Sequence, residues 1–302
     1  MNDLQNRIAQ LKQEKNAAIL AHYYVRDEVQ EVADYVGDSF YLSKAATEIT
    51  NDTLVFCGVS FMGESAKLLN PEKKVLMPDK TADCPMAHMA DIHRIQNLRE
   101  QYNDLAVVCY INSTAELKRY SDVCVTSSNA LKIVKNLPNQ HIFFIPDGNL
   151  GRHIAAQVPE KEFIFNDGCC YVHADLTAEQ IKKVKNTYPD AKFLAHPECR
   201  QEVLTLADFI GSTSEIIQYA KSDAAKEFII GTELGVLYEL KKNNPDKTFY
   251  PASPALQCSD MKKITLEKII YVLENDANAV HITDEESIQA NAPLERMLEL
   301  SR

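Results

Sequence analysis

The sequence has no run of the roughly 18 apolar residues that a membrane-spanning helix needs. Its start, Met1 to Asn16, is an amphipathic helical pattern carrying both charge signs, without the basic stretch and apolar core of a secretory signal. The expected compartment is therefore the cytoplasm. Glycine is scarce, 9 in 302 residues, and no Gly/Ser/Pro-rich linker or low-complexity tract divides the chain. No Gly-x-Gly-x-x-Gly follows a strand pattern and no Walker loop is present, so nothing supports dinucleotide or nucleoside-triphosphate binding. A basic excess is lacking as well: 32 Lys plus Arg against 43 Asp plus Glu leave a formal charge of -11. That excludes a broad nucleic-acid surface. An anionic ligand would have to be met by local donors, such as hydroxyls and helix N-termini, against the net field.

What is there is an ordinary globular composition, 45% hydrophobic and 25% charged. Short apolar runs, among them 17–21, 105–109 and 192–195, alternate with amphipathic stretches of helical length. This is the rhythm of an α/β protein with parallel sheets. Length alone suggests two domains, but an internal repeat overrides it. Asp34, Asp122 and Asp208 stand in matching segments, 33–39, 121–127 and 207–213, at intervals of 88 and 86 residues. Carried backwards, the register pairs His22 with Tyr110 and His196, and Tyr24 with Asn112 and Glu198, at the ends of equivalent strands. Carried forwards, it pairs Ser39 with Ser127 and Thr213. Further strands match at 53–56, 141–144 and 227–230, and closing strands at 74–79, 162–167 and 247–251. The fold expected is three homologous α/β/α units around a pseudo-threefold: 1–84, 85–170 and 171–258, with 259–302 packing back on the first.

Eight cysteines occur, at 57, 84, 109, 124, 169, 170, 199 and 258. In the cytoplasm they are expected to be reduced. Cys84, Cys170 and Cys258 follow the three closing strands at intervals of 86 and 88 residues, whereas Cys57, Cys109 and Cys124 sit in apolar strand patterns and read as core. Ligands of open parallel sheets bind beyond the carboxyl ends of the strands, so three such units would bring three cysteines to one central cavity. Spacing alone leaves three readings open: a 4Fe-4S cluster with one iron free for substrate, a structural zinc completed by a residue such as His173, or three core cysteines. Around the cysteines the repeat supplies His22, Tyr24, Tyr110, Asn112, His196 and Glu198, with the hydroxyls of Ser39, Ser127 and Thr213. These hydroxyls either cap the following helices or hold an anion there. Glu198 and Tyr24 are candidate acid and base.

The motifs Ala21-His22-Tyr23-Tyr24, Tyr35-Val36-Gly37-Asp38-Ser39, Val55-Phe56-Cys57-Gly58-Val59 with Phe61-Met62, Gly168-Cys169-Cys170-Tyr171-Val172-His173, His196-Pro197-Glu198-Cys199 and Gly211-Ser212-Thr213-Ser214 together resemble those of the quinolinate synthase family, from about residue 17 to Thr265. The resemblance implies the threefold α/β/α architecture with one 4Fe-4S cluster per chain at its centre. It also implies a reaction of NAD biosynthesis, in which iminoaspartate condenses with dihydroxyacetone phosphate, losing phosphate and two waters, to give quinolinate. Cys84, Cys170 and Cys258 are then the implied cluster ligands. The implied substrate contacts are His22, Ser39, Tyr110, Asn112, Ser127, His196, Glu198 and Thr213, and Tyr24, Glu198 and His173 are the proton-transfer candidates. A functional link to an aspartate-oxidising enzyme that supplies iminoaspartate also follows. Two positions depart from the family pattern: Asn166 stands where an aromatic is common, and Met261 where some members carry a second cysteine, so no redox switch is expected there. The competing readings are another iron-sulfur hydro-lyase acting on a hydroxy acid, and a non-catalytic cluster-binding redox sensor.

Overall fold

The computed structural model describes residues 3–302, and of 284–287 the backbone alone; Met1 and Asn2, the start of the expected N-terminal helix, lie outside the described residues. Four helix-then-strand steps recur three times. The first pass is α1 (Asp3–Glu14), β1 (Ala17–His22), α2 (Asp27–Val32), β2 (Tyr35–Gly37), α3 (Ser39–Glu48), β3 (Thr53–Cys57), α4 (Ser60–Leu69) and β4 (Lys74–Leu76). The second is α5 (Ile92–Gln101), β5 (Ala106–Tyr110), α6 (Ala115–Lys118), β6 (Val123–Val125), α7 (Ala130–Asn136), β7 (His141–Ile145), α8 (Gly148–Ala155) and β8 (Glu162–Phe165), followed by the single turn α9 (Tyr171–Ala174). The third is α10 (Ala178–Thr187), β9 (Lys192–Ala195), α11 (Gln201–Leu204), β10 (Phe209–Ile210), α12 (Thr213–Ser222), β11 (Glu227–Gly231), α13 (Val236–Asn243) and β12 (Thr248–Pro251). Helices α14 (Leu266–Asn275) and α15 (Asp284–Leu300) close the chain.

Each pass forms its own parallel four-stranded sheet with one strand order: β2-β1-β3-β4, β6-β5-β7-β8 and β10-β9-β11-β12. Even the register repeats, since Leu20 faces Tyr35, Val108 faces Val123 and Leu194 faces Phe209. The sheets are apolar on both faces because helices cover both. In the third sheet Phe193 and Ile229 pack toward one face while Leu194, Phe228 and Ile230 pack toward the other, the two-residue alternation of a strand. The expected strand at 74–79 is shorter than its pattern: β4 ends at Leu76, where the Met77 N–H turns to the Asn278 carbonyl (3.1 Å) of the returning tail. The tail also reaches beyond the first unit. Helix α14 packs on α1, but α15 packs on α4 of the first unit and on α6, β6 and α7 of the second.

The repeated aspartates explain why the first two strands of each sheet pair as they do. Asp34 Oδ2 accepts the Ile19 N–H (2.8 Å), Asp122 Oδ2 the Val107 N–H (2.7 Å) and Asp208 Oδ2 the Phe193 N–H (2.7 Å). In return each aspartate's own N–H donates to the carbonyl of the same residue, at 2.9, 2.9 and 2.8 Å. A cation on the preceding helix completes each set: Lys12, Arg99 and Lys185. The three N–H donors belong to fully buried residues, so losing the carboxylate strands a buried donor, which costs about 1–3 kcal/mol. The partly exposed cation contributes less, about 0–1 kcal/mol. Asp122→Ala should therefore shift the urea midpoint clearly downward and Arg99→Ala only slightly; equal shifts would mean that the ion pair, and not the N–H hook, carries the effect.

Candidate active site

The carboxyl ends of strands from all three sheets line one cavity of about 80 Å³. Strand β1 ends on His22 and β5 on Tyr110, and His196 follows β9 directly. All thirteen residues singled out from the sequence line this cavity: Cys84, Cys170 and Cys258; Tyr24, His173 and Glu198; His22, Tyr110, Asn112 and His196; and Ser39, Ser127 and Thr213. Cys169 does not; it faces a separate surface pocket with Arg152 and Arg200. Cys57, Cys109, Cys124 and Cys199 are buried in the core. Asn166 has a structural task, donating from Nδ2 to the carbonyls of Met89 (2.8 Å) and Pro146 (2.9 Å) where β8 hands over to α9.

The capping reading of the three hydroxyls is corrected here. Helix α3 is capped by Asp38, which accepts the Tyr41 N–H (2.9 Å), and α12 by Ser212 in a capping box with Glu215; the residue before α7 is Asn129. Ser39 and Thr213 are thus the first residues inside their helices, and Ser127 precedes the turn into α7. For α3 and α12 the capping work falls to a neighbour, and α7 has no side-chain cap, so none of the three hydroxyls is spent on capping. The Thr213 hydroxyl meets Tyr24 Oη at 2.6 Å.

A hydrogen-bonded chain crosses the floor of the site. Tyr24 Oη lies 2.8 Å from Thr232 Oγ1, which lies 2.9 Å from His173 Nε2. On the other side of the ring, His173 Nδ1 approaches Glu198 Oε2 to 2.6 Å, at an angle outside that of a hydrogen bond, so Nδ1 has no hydrogen-bond partner among the described residues. Tyr110 donates to Glu198 Oε1 at 2.5 Å. Thr232, the link between Tyr24 and His173, went unnoticed in the sequence. It directly follows β11, a strand-end position that the repeat could have marked, but its counterparts are Gly58 and Pro146, which carry no side-chain donor.

Charge in the site is set by burial first. The Tyr24 N–H donates to His22 Nδ1 (3.1 Å) and the Glu198 N–H to His196 Nδ1 (3.3 Å). Each imidazole is therefore an acceptor at Nδ1 and carries its proton on Nε2. Burial pushes both rings from their ordinary 6.5 down to about 3, against the charge of Glu198. Burial alone would push the Glu198 carboxyl up. The rings of His196 and His173 and the Tyr110 hydroxyl outweigh it and hold the group down at about 2. Asp147, also buried, moves the other way: burial and then the Glu198 charge raise it to about 8, against backbone N–H donors. Burial likewise holds Tyr24 and Tyr110 protonated. Two neutral N–H donors and several hydroxyls suit a small polar anion, and the ionised Glu198 stands beside them as a base. Among the described residues, Cys170, His173 and Glu198 also form a group able to hold a metal ion, their ligand atoms all within 4.8 Å of one another.

A family model described as "NadA: Quinolinate synthetase A protein" matches residues 6–299. The chain belongs to the quinolinate synthetase A family. Curated relatives, each named quinolinate synthase, agree. The protein of Fusobacterium nucleatum is 55% identical over 99% of both chains. That of Caldicellulosiruptor saccharolyticus is 52% identical over 99% of this chain and 98% of its own. The Aquifex aeolicus protein is 48% identical over all of this chain and 95% of its own. The family resemblance read from the motifs is thereby borne out, and with the family comes the enzyme class, a quinolinate synthase of NAD biosynthesis.

The depressed histidines predict a pH dependence. An unfolded chain binds a proton on His22 between pH 6.5 and 3 while the folded chain does not. The stability tied to this group is therefore full above about pH 6.5 and is lost as pH falls toward 3. From pH 7 to pH 5, His22→Asn should lose about 2 kcal/mol less unfolding free energy than wild type. Urea titrations at the two pH values measure this, and parallel losses would show the ring to be charged when folded.

Proposed function

We propose that the chain condenses iminoaspartate with dihydroxyacetone phosphate to quinolinate, releasing phosphate and two waters. The three units, 1–84, 85–170 and 171–258, are arranged about a pseudo-threefold, and the enzyme works in the cytoplasm, with an aspartate-oxidising enzyme supplying iminoaspartate. Among the described residues no helix is long and apolar enough to cross a membrane. The observation that carries the proposal is that one cavity collects a cysteine from each repeat together with the chain that joins Tyr24 to His173, beside Glu198.

The residues present fit a cluster. Cys84, Cys170 and Cys258 are soft donors lining one cavity, and burial pushes each thiol up, Cys84 to about 12. Such thiols stay protonated unless a cation compensates the thiolate, which is what a metal centre provides. Cys84, Cys170 and Cys258 would hold a 4Fe-4S cluster, leaving one iron without a protein ligand. When bound, the cluster supplies a Lewis acid that polarises a substrate oxygen and eases loss of water.

The chain's own groups do the rest. His22 and His196 present neutral Nε2–H donors, and Ser39, Ser127 and Thr213 present hydroxyls at or near helix starts; together they hold carboxylate and phosphate without adding net charge. Tyr110 and Asn112 orient the substrate from the second unit; the Asn112 Oδ1 is buried and has no partner among the described residues. Glu198, ionised, takes a proton from substrate carbon, and Tyr24, protonated, gives one to the departing hydroxyl. A turn of the His173 ring that aligns Nδ1 with Glu198 Oε2, 2.6 Å away, lets His173 and Thr232 carry the proton from Glu198 back to Tyr24 Oη, so each elimination of water leaves the protein as it began.

Two measurements test this. Anaerobically purified wild type and Cys169→Ser should each contain about four iron and four acid-labile sulfide per chain, lost in Cys84→Ser, Cys170→Ser and Cys258→Ser. Zinc without sulfide would instead favour the Cys170, His173 and Glu198 group and sink the cluster reading. Glu198→Gln should keep its iron and make quinolinate about 10²–10⁴-fold more slowly; an unchanged rate, or quinolinate formed without the triose phosphate, would refute the assigned chemistry.

A further inference from the structure

Each of the three converging cysteines has its backbone N–H held by a carboxylate. The Cys84 N–H donates to Asp83 Oδ1 (2.8 Å), the Cys170 N–H to Asp147 Oδ2 (3.1 Å) and the Cys258 N–H to Glu233 Oε1 (3.1 Å). Asp147 and Glu233 are wholly buried and stand 86 residues apart, the repeat interval, each two positions past the third strand of its sheet. The first unit has Val59 at that position. It nevertheless supplies a carboxylate from elsewhere, from Asp83 beside the cysteine, steadied by the Ser60 hydroxyl and by His88 Nε2 at 2.7 Å. The residue has changed place while the hydrogen bond to the cysteine has been kept.

The other two carboxylates are also anchored. Asp147 Oδ1 caps α8 through the Leu150 N–H (2.8 Å). Glu233 Oε2 accepts the Gly235 N–H (2.6 Å), and Lys262 Nζ pairs with Oε1 at 3.0 Å while donating to the Tyr24 carbonyl at 2.6 Å.

Resting on the cluster reading above, we infer that Asp83, Asp147 and Glu233 are positioning residues for the cluster. By accepting the three peptide N–H groups they fix the direction of each cysteine side chain before metal arrives. They also keep those N–H groups from donating to the cysteine sulfurs. Outer-shell partners of this kind orient ligands and tune a centre, and hydrogen bonds to sulfur are among the factors that set iron-sulfur potentials, raising them as donors are added. The task is to accept a hydrogen bond, which a carboxyl oxygen does in either charge state.

Asp147→Ser separates this task from helix capping. Serine still caps α8, but it is too short to serve the Cys170 N–H as well. Glu233→Met keeps much of the side chain's length and removes both acceptor oxygens, and it carries the same readings should the first variant fail to fold. Anaerobic holoenzyme of both is compared with wild type for the rate of iron loss to excess EDTA and for the cluster potential in an EPR-monitored redox titration. Iron loss about tenfold faster or more, together with a potential shifted to more positive values, supports the inference. Variants with full iron and sulfide, the wild-type loss rate and the wild-type potential overturn it while leaving the cluster reading intact. Wild type without iron and sulfide overturns both.

Discussion

The structure depends on a constraint met three times in the same way: a strand that leaves its sheet and returns beside itself must be told where to stop. In each unit an aspartate meets the buried central strand with both a side-chain acceptor and a backbone donor, and this two-point grip sets the register of the edge strand. The register then decides which residue stands at the carboxyl end. A slip of one residue would turn each side chain to the opposite face, and the polar residues of the site would end up under a helix. A second repeated device acts at the far edge. Lys73 and Lys247 donate to carbonyls at the ends of α3 and α12, satisfying groups that those helices leave open, and Lys161 does the same for the carbonyls of Leu137 and Asn139 just past α7.

Much of this was legible because the repeat lies in residue types that cannot drift freely. Asp34, Asp122 and Asp208 aligned the units, and the alignment alone pointed to His22, Tyr110 and His196 and to the cysteines. The less legible parts are those where the units solve one problem with different residues. Past the third strand of each sheet stand Gly58-Val59, Pro146-Asp147 and Thr232-Glu233, and no shared residue type flags the position. Thr232 and the two buried carboxylates become visible only once their partners across the cavity are in place. The choice between capping and ligand contact is not legible for a related reason: Asp38 and Ser212 sit one residue before the hydroxyls that the register picks out, and a pattern cannot say which of two adjacent polar residues turns back on the backbone. The reach of α15 to the second unit follows from packing surfaces that are formed only after two sheets are in place.

The electrostatics answer the problem posed by composition. A chain of net charge -11 repels an anion at long range, and a cationic site would have to bury its cations. Here burial keeps the imidazoles neutral while their Nδ1 atoms are occupied by backbone N–H groups, so what the cavity offers is oriented dipoles. Such donors need no reorganisation when a charged ligand enters. The ionised Glu198 and the buried, raised Asp147 show two carboxyl groups driven apart by surroundings within one region, the condition that gives neighbouring acids separate work.

Joining three copies of one unit in a single chain releases the site from its own symmetry. A homotrimer of identical units must present the same side chain three times at every level of a central cavity. At the level of His22 the single chain presents histidine, tyrosine and histidine, and at the level of Tyr24 tyrosine, asparagine and glutamate. Only the cysteines are retained at all three corners. The scaffold can thus keep one cysteine from every unit while the rest of the cavity becomes asymmetric, able to tell one end of an asymmetric molecule from the other.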